Sequence, residues 1–180
     1  MLRIFMGKSA SGKDYLLKKL VAEGKFQNVV SFTTRPMREG EVDGIDYHFV
    51  SEEEFKTLDK AGKFLEKRRY SVMINEKPSV WWYASPFINI ENGDYAVILD
   101  VQGTRDYIDY FAEKKQLNLI DITYVCAPKA VRTARAQRRD NRFDASEWAR
   151  RLVDDDNKFT LEALESISCI LGKEISLLYN

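Results

Sequence analysis

Short apolar runs alternate with amphipathic stretches along nearly the whole chain. "LRIFM" at 2–6 reads as a buried strand, and after a glycine-rich turn "KDYLLKKLVAEG" spaces Tyr15, Leu16, Leu17, Leu20 and Val21 at helical intervals, with Gly24 as the stop. "NVVSFTT" predicts one further strand. "SEEEFKTLDKAG" opens with Ser51 and Glu54 in capping-box spacing and predicts a helix to Gly62. From Phe64 to Tyr83 the chain is aromatic and β-prone with a polar break at "NEKPS", which predicts a hairpin or a long loop between strands.

"YAVILDVQG" is a continuous apolar run predicted as a strand ending at Asp100, and such runs suit strands buried on both faces of a parallel sheet. A helix over "TRDYIDYFAEKK" and a strand over "LIDITYVCAP" follow. Pro128 then opens a basic helix to about Arg138, and Asp144 with Glu147 starts another. "TLEALESISCIL" reads as an amphipathic helix stopped near Gly172, followed by a short apolar tail, "ISLLYN", that can supply a strand. Strands alternating with helices predict an α/β fold with a parallel sheet flanked by helices.

With 180 residues, the chain suits one domain and can bury a sizeable core. Lys+Arg and Asp+Glu both number 28, so net charge points to neither a nucleic-acid nor a membrane partner. No apolar run approaches membrane-spanning length, and no signal peptide is predicted. Two cysteines, Cys126 and Cys169, predict no disulfide framework, which suits a reducing cytoplasm.

The chemistry begins at "GKSASGKD", residues 7–14. Glycine, four residues, glycine and lysine between a strand and a helix describe a phosphate-binding loop, in which backbone N–H groups and the helix N-terminus face an anion. Gly7, Ser9, Ser11, Gly12, Lys13 and Asp14 are therefore the candidate ATP-phosphate residues. Asp14 stands where the pattern has a Mg²⁺-binding hydroxyl. Its carboxylate suits the helix dipole and can reach Mg²⁺ through water, at the cost of repelling phosphate.

"SFTTRPMREGEVDGIDYHFVSEEEF" carries Ser31, Thr33–Thr34–Arg35, Arg38, Gly40–Glu41, Asp46–Tyr47 and Phe49. In that order and spacing the segment resembles the guanylate kinase family. The resemblance covers about residues 1 to 160 and implies a P-loop nucleotide-kinase fold with three parts. These are a core (1–30, 93–128 and 152–180), a small β-rich nucleotide-binding lobe (31–92) and a helical lid (129–151). It implies transfer of the γ-phosphoryl of ATP, with Mg²⁺, to GMP or dGMP. Arg35 and Arg38 would hold the acceptor phosphate beside Tyr47 and Tyr83, with Glu41 bracing them. Ser31, Glu66, Ser85 and Asp100 would complete the GMP site, Glu66 accepting from guanine N1–H and its amino group. Arg139 and Arg151 match the family's lid arginines, with Arg135 and Arg138 as alternatives; together with Lys13 and Arg35 they would be catalytic. Asp14 and Asp100 would meet the metal through water.

Several departures accompany the match. The segment between Glu66 and Tyr83 is longer than usual, Ala84 replaces a glycine, and Ile98 replaces the first acid of the strand that ends at Asp100. Trp81 and Trp82 either stack on a base or pack under the longer segment. The tail is shorter than the family's, which leaves adenine recognition open. Two other readings stay in view: the same scaffold acting on another phosphorylated acceptor, and a non-catalytic module binding phosphopeptides. His48 reads as structural, and neither cysteine resembles a nucleophile.

Overall fold

Five parallel strands form the main sheet, in the order β2-β7-β1-β8-β9. They are β1 (Leu2–Met6), β2 (Gln27–Asn28), β7 (Tyr95–Ile98), β8 (Ile120–Cys126) and β9 (Ser176–Tyr179). A second sheet, ordered β4-β3-β6-β5, contains β3 (Phe32–Thr33), β4 (His48–Phe49), β5 (Phe64–Ile74) and β6 (Lys77–Pro86). The computed structural model describes residues 1–74, 77–139 and 143–180. Six α-helices are described: α1 (Lys13–Ala22), α2 (Glu52–Lys60), α3 (Val101–Glu113), α4 (Lys129–Arg139), α5 (Ala145–Lys158) and α6 (Leu161–Leu171).

The two faces of the main sheet follow from the alternation of side chains along its strands. Leu2, Ile4 and Met6 point to the side where Tyr107, Ile108 and Phe111 of α3 and Ile167 and Leu171 of α6 pack. Phe5 points the other way, onto Leu16, Leu17 and Leu20 of α1. Each fully buried Leu or Ile contributes about 1.5–3 kcal/mol to this two-sided core. Helix starts obey the local code: Ser51 Oγ accepts from Glu54 N, and Asp144 accepts from the N–H groups of Ser146 and Glu147. Gly172 ends α6 in the left-handed conformation, and the tail pairs with β8 from Ser176 to Tyr179.

Two predicted strands are corrected. "NVVSFTT" is not one strand: β2 joins β7 in the main sheet, the chain crosses over at 29–31, and β3 joins β6 in the other sheet. The strand in the apolar run at 95–100 ends at Ile98, with a last bond from Leu99 N to Phe5 O (3.1 Å); Asp100 instead caps α3, accepting from Gly103 N at 3.0 Å. Between Phe64 and Pro86 the structure selects the hairpin over the loop, with pairing continuous from Glu66↔Ser85 to Ile74↔Lys77. The longer segment thus lengthens two paired strands.

Candidate active site

The glycine turn follows β1, Asp100 follows β7 and α4 follows β8. These ends of parallel strands form the crevice where α/β folds place ligands. Gly7 has φ +146°, and a Cβ there would lie 2.5 Å from the Val125 carbonyl oxygen. Gly12, at φ +104°, opens α1 from a conformation that side chains rarely adopt. Lys13 Nζ donates to Gly7 O (2.7 Å) and Lys8 O (3.0 Å), which pulls the turn closed around its own charge. Ser9 N donates to Asp155 Oδ2 at 2.8 Å, and Ser9 Oγ to Asp155 Oδ1 at 3.2 Å. A carboxyl group of α5 therefore occupies the Ser9 N–H of this turn. Burial raises the Asp155 pKa above the ordinary value, against the pull of Ser9 N–H, Lys13 and Arg132.

A single cavity of about 420 Å³ joins this turn to the second sheet. It is lined on one side by Gly7, Ser9, Lys13 and Asp14, and on the other by Arg35, Arg38, Glu41, Tyr47 and Tyr83. Arg35 is 3% exposed and gripped at both ends of its fork by Glu41: Nη1 to Oε2 is 2.9 Å and Nη2 to Oε1 is 2.8 Å. Its guanidinium also lies 5.5 Å from the ring centroids of Tyr47 and Phe49. Arg38 N donates to Glu41 Oε2 at 2.8 Å, so one carboxylate sets the position of both arginines' backbone or side chain. Burial works against the Glu41 carboxylate, but the Arg35 and Arg38 hydrogen bonds outweigh it, and its pKa lies below the ordinary value. Burial likewise raises the pKa of Tyr47, keeping its hydroxyl protonated.

The residues expected to read the base are arranged differently. Ser31, Glu66 and Ser85 come together, with Ser31 Oγ 2.8 Å from Ser85 Oγ and Ser85 Oγ donating to Glu66 Oε1 at 2.6 Å. None of the three lines the cavity. Arg68 lies between them and it. Its Nη2 donates to Glu66 Oε1 (3.1 Å), its Nε is 2.9 Å from Glu66 Oε2, and its Nη1 is 3.7 Å from Asp100 Oδ1. The Nε contact is an ion pair without the alignment of a hydrogen bond. Gly103 backs Glu66: a Cβ there would stand 3.2 Å from Oε2. Of the two tryptophans, Trp82 packs against Phe55 and Trp81 lines the cavity.

Asp100 does not fit the metal role expected of it. Its oxygens accept from Gly103 N and from Tyr70 OH (2.8 Å), with Arg68 at 3.7 Å and Lys158 at 3.8 Å. Burial opposes its charge, but Arg68 and these hydrogen bonds prevail and lower its pKa. A carboxylate neutralised by two cations is a poor ligand. Among the described residues no group of three or more His, Cys, Asp or Glu side chains is set to hold a metal. Asp14 lines the cavity at the start of α1, so its carboxylate fits a water-mediated contact to Mg²⁺ carried by phosphates.

Of the lid arginines, Arg151 lines the cavity and donates from Nε to Glu147 Oε1 at 2.8 Å. Arg135 Nη1 donates to Ser11 O at 3.0 Å, which ties α4 to the glycine turn, whereas Arg138 is exposed. Arg139 ends α4, and its side chain lies outside the described residues. Sequence reasoning missed Arg68, Arg150, Asp155 and Lys158, all in the cavity wall. For Arg68 a signal existed: two residues beyond Glu66 on a strand is the same face.

A family model described as guanylate kinase matches residues 2–150. Among curated proteins, a guanylate kinase of Enterococcus faecalis is 36% identical over 111 residues, covering 61% of this chain and 53% of that protein. One from Streptococcus pyogenes is 44% identical over 72 residues, 39% of this chain and 34% of that protein. The matched stretch thus spans about half the length of the first relative and about a third of the second. A crystal structure of guanylate kinase from Anaplasma phagocytophilum superposes with a TM-score of 0.57 at 21% identity, covering 100% of this chain and 76% of that one. At that identity the likeness speaks for the fold.

Proposed function

This chain belongs to the guanylate kinase family, and on that premise we propose that it transfers the γ-phosphoryl of ATP to the phosphate of GMP or dGMP. The observation that carries the reading is the Glu41-clamped Arg35 across one continuous cavity from the Lys13 turn. Two phosphate-sized demands face each other there, a nest of N–H groups and a fixed fork, as in-line transfer requires. An acceptor phosphate oxygen attacks the γ-phosphorus, the bond from that phosphorus to the β-bridging oxygen breaks, and ADP departs with the electron pair. The acceptor phosphate is already anionic, so no protein base is needed.

In this reading Lys13 and the turn's N–H groups, with Ser9, Ser11 and Gly12, hold the donor phosphates. Arg35 and Arg38 hold the acceptor, with Tyr47 and Tyr83 beside it. Arg151 and Arg139 neutralise charge on the transferred group. Mg²⁺ bound to the ATP phosphates would supply further charge neutralisation, with Asp14 touching it through water. Asp155 serves as a placeholder at Ser9 N–H, released when phosphate arrives. No helix among the described residues is long and apolar enough to cross a membrane.

The test is ADP release from Mg-ATP with GMP, dGMP, AMP, CMP, UMP and dTMP offered separately. Release with GMP or dGMP, abolished in folded Lys13→Ala and Arg35→Ala variants, is the expected result. Silence with every acceptor, or unchanged turnover in either variant, overturns it and returns weight to a phosphopeptide-binding module.

A further inference from the structure

Glu66 is the residue that would read guanine by accepting from N1–H and the amino group, yet its side chain is fully buried and the cavity does not reach it. Its Oε1 accepts from Ser85 Oγ (2.6 Å) and Arg68 Nη2 (3.1 Å), while Oε2 accepts no hydrogen bond among the described residues and is held by charge, with Arg68 Nε at 2.9 Å. An incoming base cannot take that place without expelling a guanidinium from between two buried carboxylates. Neutral N–H donors would then have to substitute for a full positive charge in a desolvated site, which is unfavourable. The arrangement is also fixed from the strand pairing, since Glu66 and Arg68 stand on one face of β5, opposite Ser85 and Tyr83 of β6.

What the cavity meets instead is Arg68. A guanidinium carries five N–H donors in a rigid fork, more than its contacts to Glu66 and Asp100 use. Asp100 lines the cavity beside it, so at the place where Glu66 would offer an acceptor the site offers a donor. Formal charge decides what suits it: Glu66, Asp100 and Asp154 carry three negative charges against the two positive ones of Arg68 and Lys158, which lies 3.0 Å from Asp154 and 3.8 Å from Asp100. The cluster has no positive charge to spare, so it calls for a neutral hydrogen-bond acceptor and not a second phosphate. The O6 and N7 edge of a 6-oxopurine is such a group and matches the arginine fork two to two; adenine offers N7 beside an amino donor and leaves one arginine N–H facing another donor.

Building on the kinase reading above, we propose that Arg68 is the base-reading residue of this chain, with Glu66 and Asp100 as its positioning residues. The acceptor class is then the 6-oxopurine monophosphates, inosine monophosphate as well as GMP and dGMP. The 2-amino group, which a free Glu66 would select, no longer matters.

The experiment measures kcat/KM in Mg-ATP-dependent ADP release with GMP, inosine monophosphate, AMP and 7-deaza-GMP, and in parallel the affinity of each by calorimetry. The expected result is inosine monophosphate within about tenfold of GMP, and 7-deaza-GMP and AMP weaker by about 10- to 100-fold. In Arg68→Ala the GMP preference over AMP collapses, and Arg68→Lys restores it only in part because an ammonium lacks the fork. Since Arg68→Ala leaves two buried carboxylates facing each other, Arg68→Ala/Glu66→Gln is the second variant, and it too must lose the preference. Inosine monophosphate at least 100-fold below GMP, or 7-deaza-GMP equal to GMP, overturns the proposal and leaves the kinase reading standing. If no acceptor supports turnover, the kinase reading fails, and the calorimetric ranking of the same four ligands decides the base-reading role alone; absence of any binding overturns it as well.

Discussion

Replacing Glu41 with alanine strips Arg35 of both fork contacts, at 2.9 and 2.8 Å, and leaves its guanidinium 3% exposed with the Pro36 carbonyl at 2.7 Å. Hydrogen bonds to charged groups contribute about 1.5–3 kcal/mol each, and removing one member of a fully buried pair costs about 3–5 kcal/mol. Glu41 is 19% exposed, so water enters the vacated space and solvates the guanidinium in part. The loss settles at about 2–3 kcal/mol once that screening is allowed for. Urea unfolding should show it as a lower midpoint at unchanged slope. The same substitution frees Arg35 from its aromatic seat and releases Arg38 N, so the KM for GMP should rise by about tenfold or more, while the KM for ATP stays put. Glu41→Gln keeps one acceptor and should lie between the two. A Glu41→Ala protein within about 0.5 kcal/mol of the parent, with an unchanged acceptor KM, refutes the claim that this carboxylate sets the arginine.

Gly7→Ala should abolish ATP binding by calorimetry, because its Cβ meets the Val125 carbonyl oxygen at 2.5 Å and the turn must move; retained affinity would show that the loop tolerates displacement. The Glu41 pKa is lowered on folding, so its contribution is present above the unfolded value near 4 and is lost as pH falls through the folded one, whereas burial raises the Glu66 and Asp155 pKa values and works in the opposite direction. The parent's advantage in thermal midpoint over Glu41→Ala should therefore be flat from pH 8 to about 5 and shrink below about pH 4, and an advantage that grows on acidification would contradict the assigned ion pair.

The parts of this protein legible in its sequence are those written in short spacings. A strand, a glycine turn and Lys13 within one segment foretell a strand–turn–helix unit with the lysine folded onto the turn, and Ser51 to Glu54 or Asp144 to Glu147 foretell helix starts, because each partner lies within one turn of chain. The arginine pair in "TTRPMREGE" is marked by the family resemblance, and the structure adds the clamp of Glu41, six residues from Arg35. What lay beyond that reach was decided by tertiary structure. Nothing local says that β2 and β3, three residues apart, leave for different sheets; their pairing partners β7 and β6 lie far along the chain. Asp155 reaches Ser9 across 146 residues, and β9 closes on β8 by parallel pairing that no periodicity announces. The base site is the sharpest case. Alternation along β5 puts Arg68 on the face of Glu66, but only the approach of Asp100 from the end of β7 and of Gly103 from α3 turns that neighbour into a buried, charge-matched partner. Local spacing determines which residues face which way; desolvation and distant charges, set by the packed chain, determine what those residues are able to bind.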